Sequence, residues 1–185
     1  EYRRGRKTTH VMYGEAMAIL AGDGLLNLAF ETAAKAFTLC SDPARVGRAL
    51  ALFAAKAGVY GMIGGQCADI EAEEAGSEMT EELLLFIHAH KTAALIQSAM
   101  MTGAVLAGAS EEDVAKIEKI GYNIGIAFQI QDDILDVTGT IEELGKPIGS
   151  DEKNHKVTYV TLKGIEQAQA DQEALSREAV LLLRS

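Results

Sequence analysis

The sequence predicts an all-α protein, and composition is the main reason. Hydrophobic residues make up 48% of the 185 residues, aromatic residues only 5%, and there are two prolines. A chain rich in Ala and Leu favours long packed helices over sheets. Val and Ile fall mostly within helix-like patterns rather than in alternating runs. Because this length suffices for one domain with a substantial core, we expect residues 1–185 to form a single domain.

The first half of the chain is predicted to hold two helices separated by a proline. The first should run over about residues 13–39, weakened in its middle by the Gly-Asp-Gly stretch at 22–24. The Ser-Asp-Pro stretch at 41–43 indicates a break followed by a new helix, because proline suits the first helical turn. That second helix should extend through Gly64 and Gly65, small residues that permit close approach of another backbone.

The second half is predicted to hold further helices and a long polar loop. Thr80 and Ser110 are candidate N-caps, since acidic residues and an apolar helical pattern follow each of them. The helix that begins near Ser110 should run to about Val137. The polar stretch 138–156 is long for a connector in a compact helical domain, which favours a functional loop. Short helices should resume within residues 158–183.

The charge balance argues against nucleic acid as a partner. The chain has 17 basic and 27 acidic residues and a formal net charge of −10. Such a surface repels nucleic acid, although a local basic patch could still bind an anion. The segment from Asp69 to Glu82 holds seven acids and no base. The simplest interpretation of that acidic run is a solvated turn between helices.

Three observations favour a cytoplasmic protein without a membrane span. Cys40 and Cys67 lack the spacing of a metal or redox motif, which suits a reducing compartment. The chain opens with charged residues and shows no signal peptide. Residues 92–110 carry no charge and approach the length of a membrane span. Because this stretch also contains threonine, glutamine, serine and glycine, a helix buried inside a bundle is the better interpretation.

The strongest local signal is a group of acids on one predicted helix. Asp132 and Asp136 lie four residues apart and therefore share a helix face, with Gln129 one turn earlier. Like charges at this spacing repel unless a cation collects them, and Asp133 adds a carboxylate beside them. Carboxylate oxygens suit Mg²⁺, which usually shares its coordination with substrate phosphates. The alternative is an exposed acidic face, but apolar residues such as Ile134 surround these acids.

Several separated cations and polar side chains could hold an anion. Lys91 and Thr92 stand at the head of the uncharged segment, where a lysine either snorkels to water or holds a phosphate. Gln66 and Asp69 are three residues apart behind two glycines, and either face one cavity or are ordinary polar packing. A carboxylate cluster and several cations together suit a diphosphate, which needs both. The remaining candidate cations are Arg3, Arg4, Lys146 and Lys156.

Five motifs, in order, resemble those of the trans-prenyltransferases of the farnesyl and geranylgeranyl diphosphate synthase family. The resemblance runs from Tyr2 to about Lys163, and a chance match at all five places is not credible. The family fold is an all-α helical bundle of the isoprenoid synthase type around a central cavity, normally in a homodimer. The motifs are Arg3-Arg4-Gly5 with Thr8-Thr9-His10 and Gly14-Glu15-Ala16, Gly65-Gln66-x-x-Asp69, Lys91-Thr92, Phe128-Gln129-x-x-Asp132-Asp133-x-x-Asp136, and Leu144-Gly145-Lys146-Pro147-x-Gly149-Ser150-Asp151 with Lys156-x-Thr158-Tyr159.

The resemblance implies a reaction and a role for each candidate residue. The protein would condense isopentenyl diphosphate with geranyl or dimethylallyl diphosphate, through Mg²⁺-assisted ionisation to an allylic carbocation. Residues 14–23 resemble bacterial farnesyl enzymes most, which favours farnesyl diphosphate as product. The implied metal ligands are Asp132, Asp133 and Asp136. The implied catalytic residues are Lys91, Thr92 and Gln129. The implied diphosphate-binding residues are Arg3, Arg4, Lys91, Thr92, Gln129, Lys146 and Lys156.

The family's first aspartate-rich motif, which lies just before its arginine pair, is not among these 185 residues. The resemblance therefore predicts weak metal binding and poor turnover for this stretch alone. A geranylgeranyl diphosphate synthase is the alternative for product length. A non-catalytic partner subunit could tolerate loss of Asp132 or Lys91, yet both are present. A terpene cyclase shares the helical fold but would not need a second diphosphate site, which Arg4 is implied to contact.

Overall fold

The computed structural model describes residues 2–3, 5–75, 79–139 and 157–185, and these residues confirm the all-α prediction. A short antiparallel hairpin, β1 (Tyr2–Arg3) and β2 (Arg6–Lys7), precedes the helices. A π-helical turn, His88–Ala93, joins two of them. The helices are α1 (Thr9–Tyr13), α2 (Glu15–Ala34), α3 (Ala36–Leu39), α4 (Pro43–Ala57), α5 (Met62–Ala75), α6 (Glu81–Ile87), α7 (Ala94–Ala107), α8 (Glu111–Thr138), α9 (Tyr159–Lys163) and α10 (Ile165–Arg184).

The first predicted helix is divided differently from the expectation. Gly14, with φ +84°, separates α1 from α2, because a left-handed backbone of this kind interrupts the helical hydrogen bonds and suits glycine. The Gly-Asp-Gly stretch at 22–24 lies inside the unbroken α2. Each interior glycine costs only about 1 kcal/mol relative to alanine, which a long helix tolerates. The helix is therefore continuous through this stretch, and its interruptions lie at Gly14 and at Lys35, which separates α2 from α3.

The predicted helix starts are confirmed by their capping bonds. The Asp42 carboxylate accepts two backbone N–H bonds at 3.1 and 3.2 Å, and Pro43 occupies the first turn of α4. Thr80 and Ser110 each accept one backbone N–H bond from the third residue of their helix, at 3.2 and 3.1 Å. Side-chain oxygens of this kind satisfy amides that have no partner within the helix. Local chemistry alone therefore fixes where α4, α6 and α8 begin.

A break near Gly61 divides the second predicted helix into α4 and α5. A side chain there would overlap the backbone of Lys56, so only glycine fits this turn. By length and apolar composition, Pro43–Glu74 is the one helical stretch among the described residues that could cross a membrane, with 22% of its apolar window buried. A single stretch of this type is weak support for a span, and this one is interrupted. The uncharged segment 92–110 instead forms α7, which is packed within the bundle.

The long helix α8 is the centre of the bundle. It packs against α7, the π-helical turn, α9 and α10. One core cluster follows its middle and the other lies where its first turn meets α4 and α7. Spacing of three or four residues places a continuous apolar stripe on one face of a helix, which explains both clusters. Their buried members are Leu84, Ile126, Ile130, Ile134, Tyr159 and Ala168 in the first, and Ala49, Met101, Val105 and Val114 in the second.

The helices at the two ends of the described structure differ in packing. None of the described residues of α1, α2 and α3 is buried, although α2 carries many large apolar side chains. In contrast, α9 begins directly after its N-cap residue Thr158, and α10 packs along α8. The prediction that helices resume within residues 158–183 is therefore confirmed. The predicted functional loop, 138–156, lies outside the described residues from position 140 onward.

Candidate active site

Lys91 lies in the π-helical turn and is fixed by a carboxylate from a different helix. Its ammonium group donates a hydrogen bond to Oδ2 of Asp69 on α5. Asp69 is 4% exposed, whereas the lysine side chain is 32% exposed. An ammonium has three N–H donors, so this ion pair is compatible with a further bond to a phosphate oxygen. The pair therefore holds a positive charge in a defined position at the edge of the core.

Thr92, the next residue, is fixed by a hydrogen bond to a different helix, α8. Its hydroxyl donates to Oε1 of Gln129 on α8 at 2.8 Å. Consecutive residues in the turn are thus held by two different helices, Lys91 from α5 and Thr92 from α8. The hydroxyl and amide oxygens of this pair are dipoles, and their bond restricts the rotation of both side chains. The predicted catalytic residues Lys91, Thr92 and Gln129 are therefore brought together.

The predicted metal ligands continue along α8 from Gln129. Asp132 is half-buried and Asp136 is 3% exposed, and their spacing of four residues places them on one face of the helix. In the described ranges, no group of three or more His, Cys, Asp and Glu side chains is arranged to hold a metal ion. Two carboxylates completed by phosphate oxygens are, however, a donor set that suits Mg²⁺. Asp132 and Asp136 fit such a shared site.

Asp133 makes a structural contact with the chain that follows the polar loop. It lies about 100° around the helix from Asp132, towards the core, because a helix has 3.6 residues per turn. Its Oδ2 accepts the backbone N–H of Tyr159, the first residue of α9, at 2.7 Å. The carboxylate therefore anchors the chain after the polar loop. Its predicted role as a metal ligand stays a prediction, as do the roles of Asp132 and Asp136.

The other predicted diphosphate ligands are placed less completely. Arg3 is exposed on β1 and pairs in register with Arg6 across the hairpin. Gly5, with φ +73°, forms the turn between them. Arg4, Lys146 and Lys156 lie outside the described residues. Their predicted roles at the substrate diphosphates remain predictions.

Asp69 is the residue of this site that sequence reasoning did not assign a role. Its spacing from Gln66 suggested a shared cavity, with ordinary packing as the alternative. The pattern could not show that Lys91, more than twenty residues later, would be its partner. Asp69 begins the acidic run that was interpreted as a solvated turn, and this interpretation is wrong for Asp69, which is buried within α5. A buried carboxylate is rarely unpaired. The structure supplies the partner that explains its burial.

Tyr159 connects this region to α10 through its phenol. The hydroxyl donates to Oδ2 of Asp171 at 2.8 Å, and the ring is buried in the core cluster. Burial first, and then the hydrogen bond and negative charge of Asp171, raise the pKa of Tyr159 far above its ordinary value. The folded protein therefore holds this proton at pH values where an unfolded chain releases it.

We expect this shift to make the protein sensitive to alkali. As pH rises through the ordinary tyrosine pKa of about 10, the unfolded chain loses the proton while the folded chain keeps it, so folding stability falls. Tyr159→Phe should lower the free energy of unfolding near neutral pH by about 1–2 kcal/mol but flatten its decline between about pH 9 and pH 11. Denaturant unfolding at several pH values measures both effects. Tyr60→Phe, at an exposed position, is the matched control, and an undiminished alkaline decline in Tyr159→Phe would contradict the prediction.

The helical bundle, with a lysine, a threonine and paired carboxylates gathered on its inner helices, defines a class of protein. Residues 1–181 match the polyprenyl synthetase family, and the chain belongs to this family. Among curated relatives, the geranylgeranyl diphosphate synthase of Cyanophora paradoxa is 45% identical over 96% of this chain and 59% of its own length. A chloroplastic geranylgeranyl pyrophosphate synthase of Arabidopsis thaliana is 43% identical over 97% of this chain and 50% of its own. The farnesyl diphosphate synthase of Geobacillus stearothermophilus is also 43% identical, over 88% of this chain and 54% of its own length.

Solved structures agree with this assignment. An FPP/GFPP synthase from Zymomonas mobilis superposes with a TM-score of 0.84 at 29% identity, over 99% of this chain and 59% of that one. A geranyltransferase from Helicobacter pylori, complexed with magnesium and isoprenyl diphosphate, superposes with a TM-score of 0.82 at 33% identity, over 98% and 58%. These likenesses confirm the predicted family and its helical fold. The chain spans between half and three fifths of the length of these relatives.

Proposed function

We propose that the protein is a prenyltransferase that joins isopentenyl diphosphate to an allylic diphosphate. The observation that carries this proposal is the pairing of adjacent residues Lys91 and Thr92 with Asp69 and Gln129, close along α8 to the carboxylate Asp132. The site thus offers a fixed cation for a phosphate, oxygen dipoles for a developing positive charge, and carboxylates for a metal ion. Membership of the polyprenyl synthetase family supports the same reaction.

The first step is cleavage of the allylic C–O bond, which leaves a diphosphate anion and an allylic carbocation. Lys91 binds the leaving diphosphate, and its charge stabilises the anion where negative charge develops. Because Asp69 fixes the ammonium beforehand, little reorganisation is needed when the bond breaks. When bound by Asp132 and Asp136, Mg²⁺ would neutralise further charge on the diphosphate.

The carbocation needs electron-rich neighbours and no water. The Thr92 hydroxyl and Gln129 amide present oxygen atoms from two different helices, and their mutual hydrogen bond at 2.8 Å fixes their direction. Water must be kept from this pair during the reaction, because it would quench the cation. The isopentenyl double bond then attacks the cation, and the resulting intermediate loses a proton, which the released diphosphate is able to accept.

Product length is the finer part of the proposal. Sequence reasoning favoured a farnesyl product, with a geranylgeranyl product as the alternative. Relatives named for either product are nearly equally similar, at 45% identity for a geranylgeranyl diphosphate synthase and 43% for a farnesyl diphosphate synthase. Identity at this level supports the shared condensation rather than one chain length. We therefore propose a short-chain product of fifteen or twenty carbons.

A homodimer and a cytoplasmic location complete the proposal. The exposed apolar residues of α2 support burial of that helix against another protein surface, since patches of this size are uncommon on monomers. Among them, Leu20 is 60% exposed and Leu25 is 69% exposed. Sedimentation of the complete gene product would give the mass of the assembly, and a monomer would contradict the dimer. The cytoplasmic location rests on the sequence observations given above, the cysteine pattern among them, and stays a prediction.

A product assay on the complete gene product tests the function. The protein is given Mg²⁺, labelled isopentenyl diphosphate and either dimethylallyl, geranyl or farnesyl diphosphate, with Thr92→Val and Lys91→Ala as variants. We expect condensation that both variants reduce, and the length of the longest product distinguishes a farnesyl from a geranylgeranyl synthase. A cyclic hydrocarbon released without isopentenyl diphosphate would indicate a cyclase. Failure to condense any pair of substrates would contradict the proposal and favour a non-catalytic partner subunit.

A further inference from the structure

Two glycines stand in matching positions on the helices that flank the π-helical turn. Gly65 lies on α5, four residues before Asp69, the partner of Lys91. Gly125 lies on α8, four residues before Gln129, the partner of Thr92. Four residues make about one helical turn, so each glycine and its polar partner face the same side.

At both positions the flanking helix touches the backbone of the turn. A Cβ atom on Gly65 would overlap the backbone N of Lys91 and lie 2.6 Å from Cβ of His90. A Cβ atom on Gly125 would overlap both Cα and Cβ of Ala93. Contacts below 3.0 Å force a shift, and here the groups that would have to shift are largely backbone. The two glycines therefore set how closely the π-helical turn can approach α5 and α8.

This close approach matters because Thr92 in the π-helical turn has a short side chain. A hydroxyl on a threonine is one bond from Cβ and must lie within about 3 Å of its partner to form a hydrogen bond. The Thr92–Gln129 distance of 2.8 Å leaves little room for a displaced backbone. Isolated π-helical turns within α-helices are often found at functional sites, where they redirect side chains.

We propose that Gly65 and Gly125 are positioning residues for the reaction. Gly65 lets the turn approach α5 closely enough for Lys91 to contact Asp69, and Gly125 lets it approach α8 closely enough for Thr92 to contact Gln129. This inference rests on the proposed function of the site. Gly65 acts through α5, and Gly125 acts through α8. Displacement of Lys91 should therefore raise KM for the allylic diphosphate and also lower kcat, because Lys91 both binds the diphosphate and stabilises its developing charge, whereas displacement of Thr92 should mainly lower kcat.

A third glycine provides a matched comparison on the same helix interface. Gly121, one turn before Gly125 on α8, would bring a Cβ atom to 2.9 Å from Cα of Gln97 on α7. Gln97 bonds to Lys56 at 2.8 Å and to the backbone O of Glu118 at 3.0 Å, which tie α4, α7 and α8 together. Gly121 therefore also packs closely against a neighbouring backbone, although less tightly than Gly125, and the atoms nearest to it belong to Gln97, outside the predicted site.

The test is a double-mutant cycle in the complete gene product. Gly125→Ala, Thr92→Val and the double variant are assayed for kcat and KM below their unfolding midpoints, with Gly121→Ala as the control. We expect Gly125→Ala to lower kcat by roughly 10- to 100-fold, since misplacement by about 1 Å can cost 10²-fold. In the Thr92→Val background the same change should cost less than about threefold, because the interaction it disturbs is already absent. Gly121→Ala should lower thermal stability but change kcat by less than about twofold.

The contact between the turn and α5 gives an independent double-mutant cycle with Gly65→Ala and Asp69→Asn. Here we expect a higher KM for the allylic diphosphate together with a lower kcat, and again a less than multiplicative loss in the double variant. Losses that multiply fully in both cycles, or a Gly121→Ala loss of turnover equal to that of Gly125→Ala, would overturn the proposal and make the glycines packing residues only. An inactive wild-type protein would instead contradict the proposed function, and the positioning role would fail with it.

Discussion

Asp132→Ala should abolish most Mg²⁺-dependent condensation, with kcat/KM lower by on the order of 10²–10³-fold. The physical reason is the loss of a hard carboxylate ligand for the ion that neutralises the leaving diphosphate. Because Mg²⁺ at such sites also depends on the substrate phosphates, the variant should need much more Mg²⁺ for half-maximal rate. Initial rates at increasing Mg²⁺ concentration, with geranyl diphosphate as the allylic substrate, measure both effects.

Asp133→Asn is the control that separates metal binding from folding. The asparagine amide keeps an oxygen that can accept the Tyr159 N–H bond, so α9 should remain anchored. We expect its activity to fall less than tenfold and its Mg²⁺ requirement to stay near that of the wild type. Equal losses and equal shifts in Mg²⁺ requirement for the two variants would place Asp133 in the metal site and contradict this division.

Lys91→Ala should have the second large effect, again on the order of 10²–10³-fold in kcat/KM. The variant loses the positive charge that stabilises the leaving diphosphate, and Lys91→Arg should rescue only part of it, because a planar guanidinium does not replace a point charge seated on Asp69. Stability should also fall, since the cation beside buried Asp69 is gone. The decrease should lie below the 3–5 kcal/mol typical of a fully buried pair, because the lysine side chain is 32% exposed.

A double variant separates the two consequences of losing Lys91. Lys91→Met with Asp69→Asn removes both charges, so unfolding should return towards the wild-type midpoint while activity stays low. Steady-state kinetics and thermal unfolding of the single and double variants provide the comparison. Recovery of activity together with stability would show that Lys91 supports the fold rather than the diphosphate, and would contradict its proposed role.

Sequence reasoning predicted the helix starts better than the helix breaks. Thr80 and Ser110 cap helices as expected, and Asp42 caps α4 at the predicted helix start before Pro43, because an N-cap bond spans only two or three residues of the chain. The breaks at Gly14 and Lys35 were not predicted, and α2 runs unbroken through the Gly-Asp-Gly stretch at 22–24. Glycine permits both helical and left-handed backbone, so its identity alone does not say which it adopts.

The sequence by itself determined the all-α class, the family and the order of the polar motifs along the chain. These depend on composition, on spacing within a helix and on residues close in sequence. Only the tertiary structure decided which partners meet: Lys91 with Asp69, Thr92 with Gln129, and Asp133 with the amide of Tyr159. Such pairs depend on how α5, α8 and the π-helical turn pack. That packing is set by close backbone contacts at glycines and by the shared core, which no local pattern specifies.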